Sequence, residues 1–282
     1  MNQSDDETKE IRLLDHGYMR LVEFWGSDSR IIEAARMSTA KGFQGWGELR
    51  CRCGAISKTA RWGGDGKHSK LFHDAEQTVC PIERGGAHVA VEESEAGDEK
   101  LLRYLWENRH HTPFEMAGMT IEVQAPIFVF REWHRHRTQS YNELSARYTQ
   151  MPNLHYVPSV ERIMAGGQDA KNRQGSAPLE ITSEMAEQVR LRLAETQQRL
   201  YDEYDALLKV VGLSKELARI NTPVSRYSRM RASGNLRNWL GFLTLRMAPA
   251  AQWEIRQYAN ALGIWIALAF PLTWALFCES KG

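Results

Sequence analysis

The sequence predicts an α+β fold, a mixed α/β chain with helices in the majority toward its C-terminus. Two observations support this class. Apolar and polar residues alternate in two segments of the first half, and apolar residues recur at helical spacing in several later segments, without an internal repeat. The chain has 282 residues and 43% apolar composition, so it can bury a sizeable core in one large domain or two small ones.

The first half combines short strands, helices and an irregular region. The segment IRLLDHGYMRLVEFW alternates around residues 15–17, which predicts two strands or a strand and its turn. Residues 31–38 predict a helix. Over residues 41–97 no period is sustained, so we expect an insertion-like, loosely folded region. A helical stripe over residues 99–109 then precedes MTIEVQAP, a half-buried strand that ends at Pro126.

The second half is mainly helical. A helix is predicted from about Ser183, with Gly212 as its stop. Its apolar face comprises Met185, Val189, Leu193, Leu200, Tyr204, Leu207 and Val211. Two further helices are predicted at about 235–247 and from about residue 251 onward. The apolar stretch over residues 261–278 approaches the length of a membrane span, but Pro271 favours two buried helices in the core or at a subunit interface.

Charge and composition narrow the function classes. Lys and Arg number 36 against 35 Asp and Glu, so the net charge of +1 predicts no general attraction to nucleic acid or to a membrane. The polar N-terminus MNQSDDETKE lacks the features of a signal peptide, which predicts a cytoplasmic location. Cys51 and Cys53 are too close together to belong to a disulfide framework, so a reducing compartment is expected.

Arginines cluster in two parts of the chain from which lysine is absent. The first cluster contains Arg131, Arg135, Arg137 and Arg147, and the second Arg219, Arg226, Arg229, Arg231, Arg237, Arg246 and Arg256. Arginine alone suggests use of its planar fork, which donates two parallel hydrogen bonds to phosphate or carboxylate. The alternative is that some of these arginines simply pair with Glu132, Glu143 or Glu254.

The stretch RHRTQSYNELSARY adds groups that a bare phosphate does not require. Ser140, Asn142, Glu143 and Ser145 supply both donors and acceptors, as the edge of a nucleobase or an isoalloxazine ring demands. Asn235 and Arg246, eleven residues apart, are expected on one side of the later helix. The sequence therefore predicts a flat heteroaromatic ligand with phosphates, while a nucleic-acid strand is disfavoured by the balanced charge.

Metal and nucleophilic chemistry have weaker signals. His134 and His136 form a His-x-His pair, but no third ligand stands at a suitable spacing and arginines flank His136, so no metal is expected there. Residues 110–113, HHTP, are either site residues at a helix end or a stop imposed by Pro113. In the irregular region, zinc is an open alternative for the residues Cys51, Cys53, Cys80, His68, His73 and His88.

No residue has the surroundings of an activated nucleophile. Ser140 and Ser145 lack the strand-turn-helix glycine pattern of hydrolase serines. Cys278 ends an apolar run and is expected to be buried and inert. The sequence therefore offers no residue that is predicted to act as a nucleophile.

The stretch RHRTQSYNELSARY resembles the signature of flavin-dependent thymidylate synthases. Five other segments resemble family segments in the same order, namely AARMS, HHTPFE, APIFVFREW, NLRNWLGFLTLR and AQWEIRQYA. The resemblance implies the fold of the thymidylate synthase-complementing proteins, an antiparallel sheet flanked by helices. It also implies one domain over residues 1–282 with an insertion at about 42–97, and a homotetramer with shared active sites.

The resemblance further implies an enzyme, a methyltransferase of dTMP biosynthesis that converts dUMP to dTMP. Methylenetetrahydrofolate supplies the carbon, FAD carries the hydride and NADPH reduces the flavin. Neither nucleic acid nor a membrane is an expected partner. The alternative is a non-catalytic nucleotide- or RNA-binding protein on the same scaffold, which salt-sensitive binding of oligonucleotides without flavin distinguishes.

Site residues follow by position in the matching motifs. Those expected at FAD are Thr112, Glu115, Arg135, His136, Arg137, Glu143, Asn235, Leu236, Arg237 and Gly241. Those expected at the nucleotide are Glu132, Trp133, His134, Arg135, Glu143, Leu144, Ser145, Ala146, Arg147, Arg219 and Arg246. His110 is expected to order the site between the two.

Residue types agree with these implied roles. Arg147 and Arg219 suit a 5′-phosphate, and Arg246 beside the uracil stabilises negative charge as the ring N3–H ionises, which makes C5 a better nucleophile. Ser145 orients the substrate. Three positions depart from the family pattern: Glu132 stands where glutamine is common, Ala146 where glycine is common, and Gly241 where an asparagine is often found.

Overall fold

The structure is a computed structural model that describes residues 10–46, 97–169 and 176–281, together with the backbone of five short strands between residues 49 and 93. The chain divides into two compact units. The first unit comprises Met1–Glu23, Met119–Gly234 and Asn238–Leu262, and the second comprises Phe24–Gly118, Asn235–Arg237 and Gly263–Gly282. The prediction of one domain over residues 1–282 stays a prediction.

A five-stranded sheet organises the first unit. In chain order its strands are β1 (Glu10–Leu13), β2 (Gly17–Trp25), β8 (Gly118–Pro126), β9 (Ser140–Glu143) and β12 (Tyr227–Asn235). The spatial order is β1-β2-β8-β12-β9, and the pairs β1–β2 and β9–β12 are antiparallel. The predicted mixed α/β class with an antiparallel sheet flanked by helices is confirmed.

The remaining strands are short. They are β3 (Leu49–Arg50), β4 (Ile56–Ser57), β5 (Thr59–Trp62), β6 (Ser69–Phe72), β7 (Glu92–Glu93), β10 (Gly167–Gln168) and β11 (Ser176–Ala177). Strands β4-β3-β7, β5-β6 and β10-β11 form three separate small sheets. The region predicted to be loosely folded thus contains paired backbone segments. The candidate zinc ligands Cys51, Cys53, Cys80, His68, His73 and His88 lie outside the described residues.

Nine α-helices lie in the described ranges. They are α1 (Asp28–Arg36), α2 (Gly97–Glu107), α3 (Ile127–Trp133), α4 (Val160–Met164), α5 (Ser183–Lys209), α6 (Lys215–Ala218), α7 (Leu236–Arg246), α8 (Trp253–Ala269) and α9 (Pro271–Glu279). Short 3₁₀ helices cover Met37–Thr39, Thr112–Met116 and Arg219–Asn221. No helix in the described ranges is long and apolar enough to cross a bilayer.

The hairpin between β1 and β2 confirms the first predicted strand pair. Leu13 pairs with Gly17 across the turn, and Leu14 between them has a left-handed φ of 57°. Gly17 is required by close packing, because a Cβ there would lie 2.1 Å from the Tyr258 hydroxyl oxygen and 2.6 Å from the Leu13 carbonyl oxygen. The hairpin therefore fixes the edge of the sheet against α8.

Strand β8 continues directly into a helix. Along β8, Ile121, Val123 and Ala125 are fully buried, while Glu122 and Gln124 between them are partly exposed, as the alternation predicted. Pro126 ends the strand and serves as the N-cap residue of α3, because its fixed φ suits a helix start and its missing N–H is not needed there. Because β8 leads directly into α3, the position of the polar stretch after α3 is set by the sheet.

Helix α5 has the predicted start and stop. The Thr182 hydroxyl caps its N-terminus by accepting from the Met185 N–H at 3.2 Å, and Gly212 follows its end at φ 71°. The predicted apolar face of this helix is only partly buried. Tyr204 is buried and Leu200 and Leu207 are partly buried, whereas Met185, Val189 and Leu193 are 55%, 44% and 39% exposed. Val211, which lies beyond the end of α5, is 66% exposed.

In the second unit Pro271 divides the apolar C-terminal stretch as predicted. Helix α8 ends at Ala269 and Pro271 occupies the first turn of α9. The buried Asp28 carboxylate, at the start of α1, accepts from the backbone N–H groups of Leu272 at 2.9 Å and Thr273 at 3.1 Å. These bonds satisfy donors that a helix N-terminus leaves free, and so they join α1 to α9.

Candidate active site

Arg246, the last residue of α7, donates from three nitrogen atoms to two residues of the first arginine-rich stretch. Its Nη1 donates to the Glu132 carboxylate Oε2, its Nη2 to the Glu132 carbonyl oxygen and its Nε to His136 Nε2, each at 2.9 Å. The Arg246 side chain is 16% exposed and that of Glu132 42% exposed. The guanidinium is therefore fixed in position and still borders solvent.

His136 is neutral in this arrangement. Burial, followed by the positive charge of Arg246, lowers its pKa to about 4. Because Nε2 accepts from Arg246, the ring proton lies on Nδ1. The ring also meets Phe242 edge-on, with centroids 4.8 Å apart, and the Tyr141 hydroxyl donates to the His136 carbonyl at 2.6 Å. These contacts hold a neutral imidazole against the guanidinium.

The turn after α3 is anchored by Trp133. The Trp133 ring is fully buried against Phe242 and Tyr258, and its Nε1 donates to Gln139 Oε1 at 3.0 Å. Because this side chain is in the core, its predicted contact with the nucleotide is limited to backbone atoms. His134 stacks on Phe130 at the end of α3.

Arg135 and Arg137 project from this turn into solvent. Both side chains are exposed, and within the described part of the chain neither makes a hydrogen bond or an ion pair. Free guanidinium groups beside a rigid turn are suited to bind an anion such as a phosphate. Arg135 and Arg137 are therefore unpaired among the described residues, whereas Arg147, the third arginine of the signature, pairs with Glu216.

Strand β9 places the next part of the signature beside a cavity. Glu143 pairs with Met230 of β12, and the Leu144 N–H donates to the Arg229 carbonyl at 2.8 Å. The cavity has a volume of about 510 Å³. Its polar lining includes Glu122, Ser140, Asn142, Glu143, Arg229 and Arg231. Donors and acceptors from β8, β9 and β12 thus line this cavity.

Arg147 and Arg219, the two predicted phosphate ligands, differ in their surroundings. Arg147 donates from Nη2 and Nε to the Glu216 carboxylate at 3.1 and 3.3 Å, and both side chains are more than half exposed. Arg219 lies in the short 3₁₀ helix after α6 and has no partner among the described residues. An exposed ion pair contributes little to stability, so a phosphate can replace Glu216 as the partner of Arg147 at small cost.

Ala146 and Ser145 fix the backbone before Arg147. Ala146 is buried in a cluster with Met151, Tyr204 and Ala218, and the Arg147 N–H donates to Ser145 Oγ at 3.3 Å. The methyl group at position 146 is thus accommodated by packing. Its departure from the family's glycine leaves the segment ordered.

The second unit holds five further predicted cofactor residues, Thr112, Glu115, Asn235, Leu236 and Arg237, whereas Gly241 lies on α7 in the first unit. Arg237 Nη1 donates to Glu115 Oε1 at 2.5 Å, and the Leu236 N–H donates to the Ala117 carbonyl at 2.7 Å. The unit also contains a cavity of about 650 Å³. Its lining includes Arg36, Ser38, Tyr104, Arg109, His110 and Thr112. The segments AARMS and HHTPFE therefore meet at one cavity.

His111 borders the same cavity. Its pKa is lowered by burial and then by the charges of Arg237 and Arg109. His110 meets Tyr104 edge-on, with centroids 5.6 Å apart. A neutral His111 among arginines leaves the positive charge of this cavity on the guanidinium groups, which favours an anionic ligand.

Several expectations from the sequence are corrected by these positions. Asn235 is the last residue of β12 and precedes α7, so the helical-turn argument that placed it on one side with Arg246 does not apply. His134 and His136 lie at a helix end and in a turn, and the strand that would align them is absent there. No group of three metal-binding side chains occurs among the described residues.

The alternative that some of the clustered arginines pair with nearby glutamates is partly confirmed. Arg246 pairs with Glu132, while Glu254 pairs with Arg162, an arginine outside both clusters, at 2.8 Å. Sequence reasoning missed Tyr141, Gln139 and Glu216. The first two lie within the signature and alternate with its polar residues, whereas nothing in the sequence links Glu216 to Arg147.

Comparison with known proteins gives a consistent result. The chain matches the family model described as thymidylate synthase complementing protein over residues 20–272. It is 34% identical over 269 residues to a flavin-dependent thymidylate synthase of Thermus thermophilus, covering 95% of this chain and 78% of that protein. A second such enzyme, from Gluconobacter oxydans, is 32% identical over 273 residues, covering 96% of this chain and 73% of that protein.

A solved structure is similar along nearly the whole chain. The UMP/dUMP methylase PolB from Streptomyces cacaoi, crystallised with 5-Br UMP, has a TM-score of 0.67 and 28% identity. The match covers 95% of this chain and 96% of that chain. A crystal of the same methylase with 5-Br dUMP has the same TM-score and 29% identity.

Proposed function

The chain belongs to the flavin-dependent thymidylate synthase family, and from that premise we propose that it methylates dUMP to dTMP with a flavin as its redox cofactor. The observation that carries the proposal is the fixed guanidinium of Arg246 between Glu132 and His136, at the end of the signature turn. This arrangement provides a preorganised positive charge, and the described residues around it include no thiol.

Arg246 acts on the uracil ring. Its guanidinium stabilises the negative charge that the ring gains as N3–H ionises, and this charge makes C5 nucleophilic without a covalent bond to the enzyme. The group needs no reorganisation on binding, because Glu132 and His136 already hold it. Preorganised donors of this kind are among the largest contributions to catalysis.

Arg147 and Arg219 bind the 5′-phosphate. Arg219 has no partner among the described residues, and Arg147 has only the exposed Glu216, so both guanidinium groups are available to an anion. The backbone that follows β9 orients the nucleotide through Leu144, Ser145 and Ala146. Glu143 and His134 complete these contacts. Held at both ends, the nucleotide presents its ring in one pose.

We assign the cofactor as FAD, with NADPH as reductant and methylenetetrahydrofolate as carbon donor. Arg135 and Arg137 have exposed guanidinium groups that suit a pyrophosphate. By position in the family motifs, we also propose Thr112 and Arg237 as FAD ligands. The proposed FAD-binding set is completed by Glu115, His136, Glu143, Asn235, Leu236 and Gly241. When bound, the flavin supplies the hydride chemistry.

A homotetramer is the proposed assembly. The N-terminal part of α5 exposes Met185, Val189 and Leu193 on one face, and contiguous exposed apolar surface marks contact regions. Shared active sites would explain why cofactor ligands are proposed on separate parts of the chain. The cytoplasmic location expected from the N-terminus stays a prediction.

The visible absorption spectrum and product analysis test the proposal. Purified protein is expected to be yellow and to release dTMP only when dUMP, methylenetetrahydrofolate and NADPH are all present, with UMP as a parallel substrate arm. Colourless protein that cannot be reconstituted with FAD would contradict the proposal. Salt-sensitive oligonucleotide binding by such protein would favour the non-catalytic alternative.

A further inference from the structure

The two proposed phosphate ligands follow buried alanines of one apolar cluster. Arg147 comes directly after Ala146 and Arg219 directly after Ala218, and the two alanines are 6% and 2% exposed. Both alanines belong to the cluster that includes Tyr204 of α5. Because each arginine is one residue away from a buried side chain, the position of its backbone is set by the packing of this cluster.

Tyr204 is the largest buried side chain of the cluster and connects it to the segment that follows Arg147. It is 3% exposed, and its hydroxyl oxygen accepts from the Met151 N–H at 3.2 Å. The next residue of α5, Asp205, accepts from the Gln150 side-chain amide at 2.8 Å. Helix α6 and the 3₁₀ helix that follows it also pack on α5. The C-terminal half of α5 therefore contacts both segments that carry the phosphate ligands.

A buried cation restrains the Tyr204 ring. The Arg226 side chain is fully buried, and its guanidinium carbon lies 5.4 Å from the centroid of the Tyr204 ring and 5.0 Å from that of Tyr201. It donates to the Pro152 carbonyl at 3.3 Å and has no carboxylate partner among the described residues. Because the two ring faces compensate its charge, rotation of the Tyr204 ring would leave a buried cation less compensated.

We propose that Tyr204 is a positioning residue for phosphate recognition: it fixes the separation of Arg147 and Arg219, so that both guanidinium groups reach one 5′-phosphate. The inference rests on the proposed function, which brings that phosphate to the two arginines. Charge-assisted hydrogen bonds from two cations depend on their spacing, and a displacement of about 1 Å is enough to lose that geometry. Both arginine side chains are long and reach solvent, so a fixed backbone limits the positions that they sample.

Equilibrium binding to the holoenzyme tests the proposal. Dissociation constants for dUMP and for deoxyuridine, which lacks the phosphate, are measured for the wild type, Tyr204→Phe, Tyr204→Leu and the control Tyr227→Phe. Tyr204→Phe removes only the acceptor for the Met151 N–H, whereas Tyr204→Leu also removes the ring that faces Arg226. Tyr227 is fully buried as well, and its hydroxyl donates to Asp15.

The expected effect is confined to the phosphate. The Kd of dUMP should rise about threefold to tenfold in Tyr204→Phe and by more than about tenfold in Tyr204→Leu, while the Kd of deoxyuridine keeps its wild-type value. Because only binding is weakened, kcat at saturating dUMP should stay within about twofold of the wild type. Tyr227→Phe should leave both dissociation constants unchanged.

A combined variant shows whether Tyr204 acts through the arginines. In a protein that carries Arg147→Ala and Arg219→Ala, the addition of Tyr204→Phe should cause no further rise in the Kd of dUMP, because no cation is left to position. A further rise would overturn the proposal.

Two results with the single variant would also overturn the proposal and leave the proposed function intact. One is an equal rise in the Kd of dUMP and of deoxyuridine in Tyr204→Phe, which indicates a general structural role. The other is an unchanged Kd of dUMP in folded Tyr204→Phe, and this variant decides even where Tyr204→Leu does not fold. Wild-type protein that binds dUMP no more tightly than deoxyuridine would contradict both the inference and the proposed phosphate site.

Discussion

At the residue scale, Arg246 is the most constrained cation of the site. It is largely buried, it meets Glu132 twice and it donates to a neutral imidazole. A buried guanidinium with all three nitrogens engaged loses little entropy on binding a ligand, and its charge is weakly screened. The free arginines Arg135, Arg137 and Arg219 have the opposite character and suit mobile phosphate groups.

Replacing Arg246 tests its role in activating the ring. Arg246→Ala is expected to lower kcat by about 10²–10³-fold, the loss found when one preorganised donor to a developing anion is removed. The measurement is dTMP formation at saturating dUMP. Arg30→Ala, which removes an exposed arginine paired with Glu33, is the matched control and should keep full turnover. Full turnover by Arg246→Ala would remove the assignment.

Replacing Arg147 tests the phosphate site. Arg147→Ala is expected to raise the Kd of dUMP by about 10- to 100-fold, because a hydrogen bond to a charged group contributes about 1.5–3 kcal/mol. Glu216→Gln removes the carboxylate that competes for Arg147, so it should bind dUMP at least as tightly as the wild type. Equal weakening by both variants would indicate that the pair is structural. Titration with deoxyuridine, which lacks the phosphate, should show no difference among the three proteins.

The lowered pKa of His136 predicts a pH dependence of stability. A histidine with pKa 6.5 when unfolded and about 4 when folded binds more protons in the unfolded state, so the free energy of unfolding falls as pH drops from 6.5 toward 4. Between pH 7 and pH 5 the loss is on the order of 1–2 kcal/mol. His155, whose pKa is also lowered to about 4, contributes in the same direction.

Urea midpoints at pH 7 and pH 5 measure this effect. The wild-type midpoint is expected to fall at pH 5, and His136→Gln should show a smaller fall because one titrating group is gone. The urea midpoint of His155→Gln should likewise fall less than that of the wild type between pH 7 and pH 5. An identical fall in His136→Gln would show that the ring is already charged, or equally exposed, in the folded protein.

At the element scale, the ends of strands and helices position the chemistry. Strand β8 ends and α3 begins at Pro126, and α3 ends at the buried Trp133. The turn that follows contains the exposed Arg135 and Arg137. The sequence predicted the strand, its end at Pro126 and the later helices, because their periodicity is local. It did not predict α3, since the run Ile127–Phe130 is too short for its period to be read.

The contact between α1 and α9 provides an element-scale prediction. Asp28→Ala removes the acceptor for the Leu272 and Thr273 N–H groups and the Thr273 hydroxyl, and should lower the free energy of unfolding by about 1–3 kcal/mol. The change is read from urea denaturation. Asp202→Ala, at an exposed position of α5, is the control and should shift stability by less than about 0.5 kcal/mol. An equal effect of the two would show that the cap is not formed.

At the scale of the whole molecule, the chain combines a sheet-based unit with a mainly helical unit, and segments distant in sequence contribute to each. Among the described residues, the N-terminal part of α5 exposes the apolar side chains of Met185, Val189 and Leu193 on one face. Burying such side chains removes apolar surface from water, which drives association.

Replacing a side chain on this face tests the proposed tetramer. Val189→Asp is expected to shift the protein from a tetramer to smaller species in light scattering, because a carboxylate is costly to bury without a partner. Turnover should fall with it if the active sites are shared. Glu195→Asp, also on α5, is a control that preserves charge. A Val189→Asp protein that stays tetrameric would place the interface elsewhere.

The sequence by itself determined the fold class, most helix and strand spans and the signature residues, because these depend on residues a few positions apart. Only the tertiary structure decided which charges meet. Arg246 reaches Glu132 across 114 residues and Arg147 reaches Glu216 across 69, and no local period encodes such pairs. It also decided that Trp133 lies in the core and that Met185, Val189 and Leu193 do not. Burial and pairing follow from how distant elements pack, and that packing depends on the whole chain.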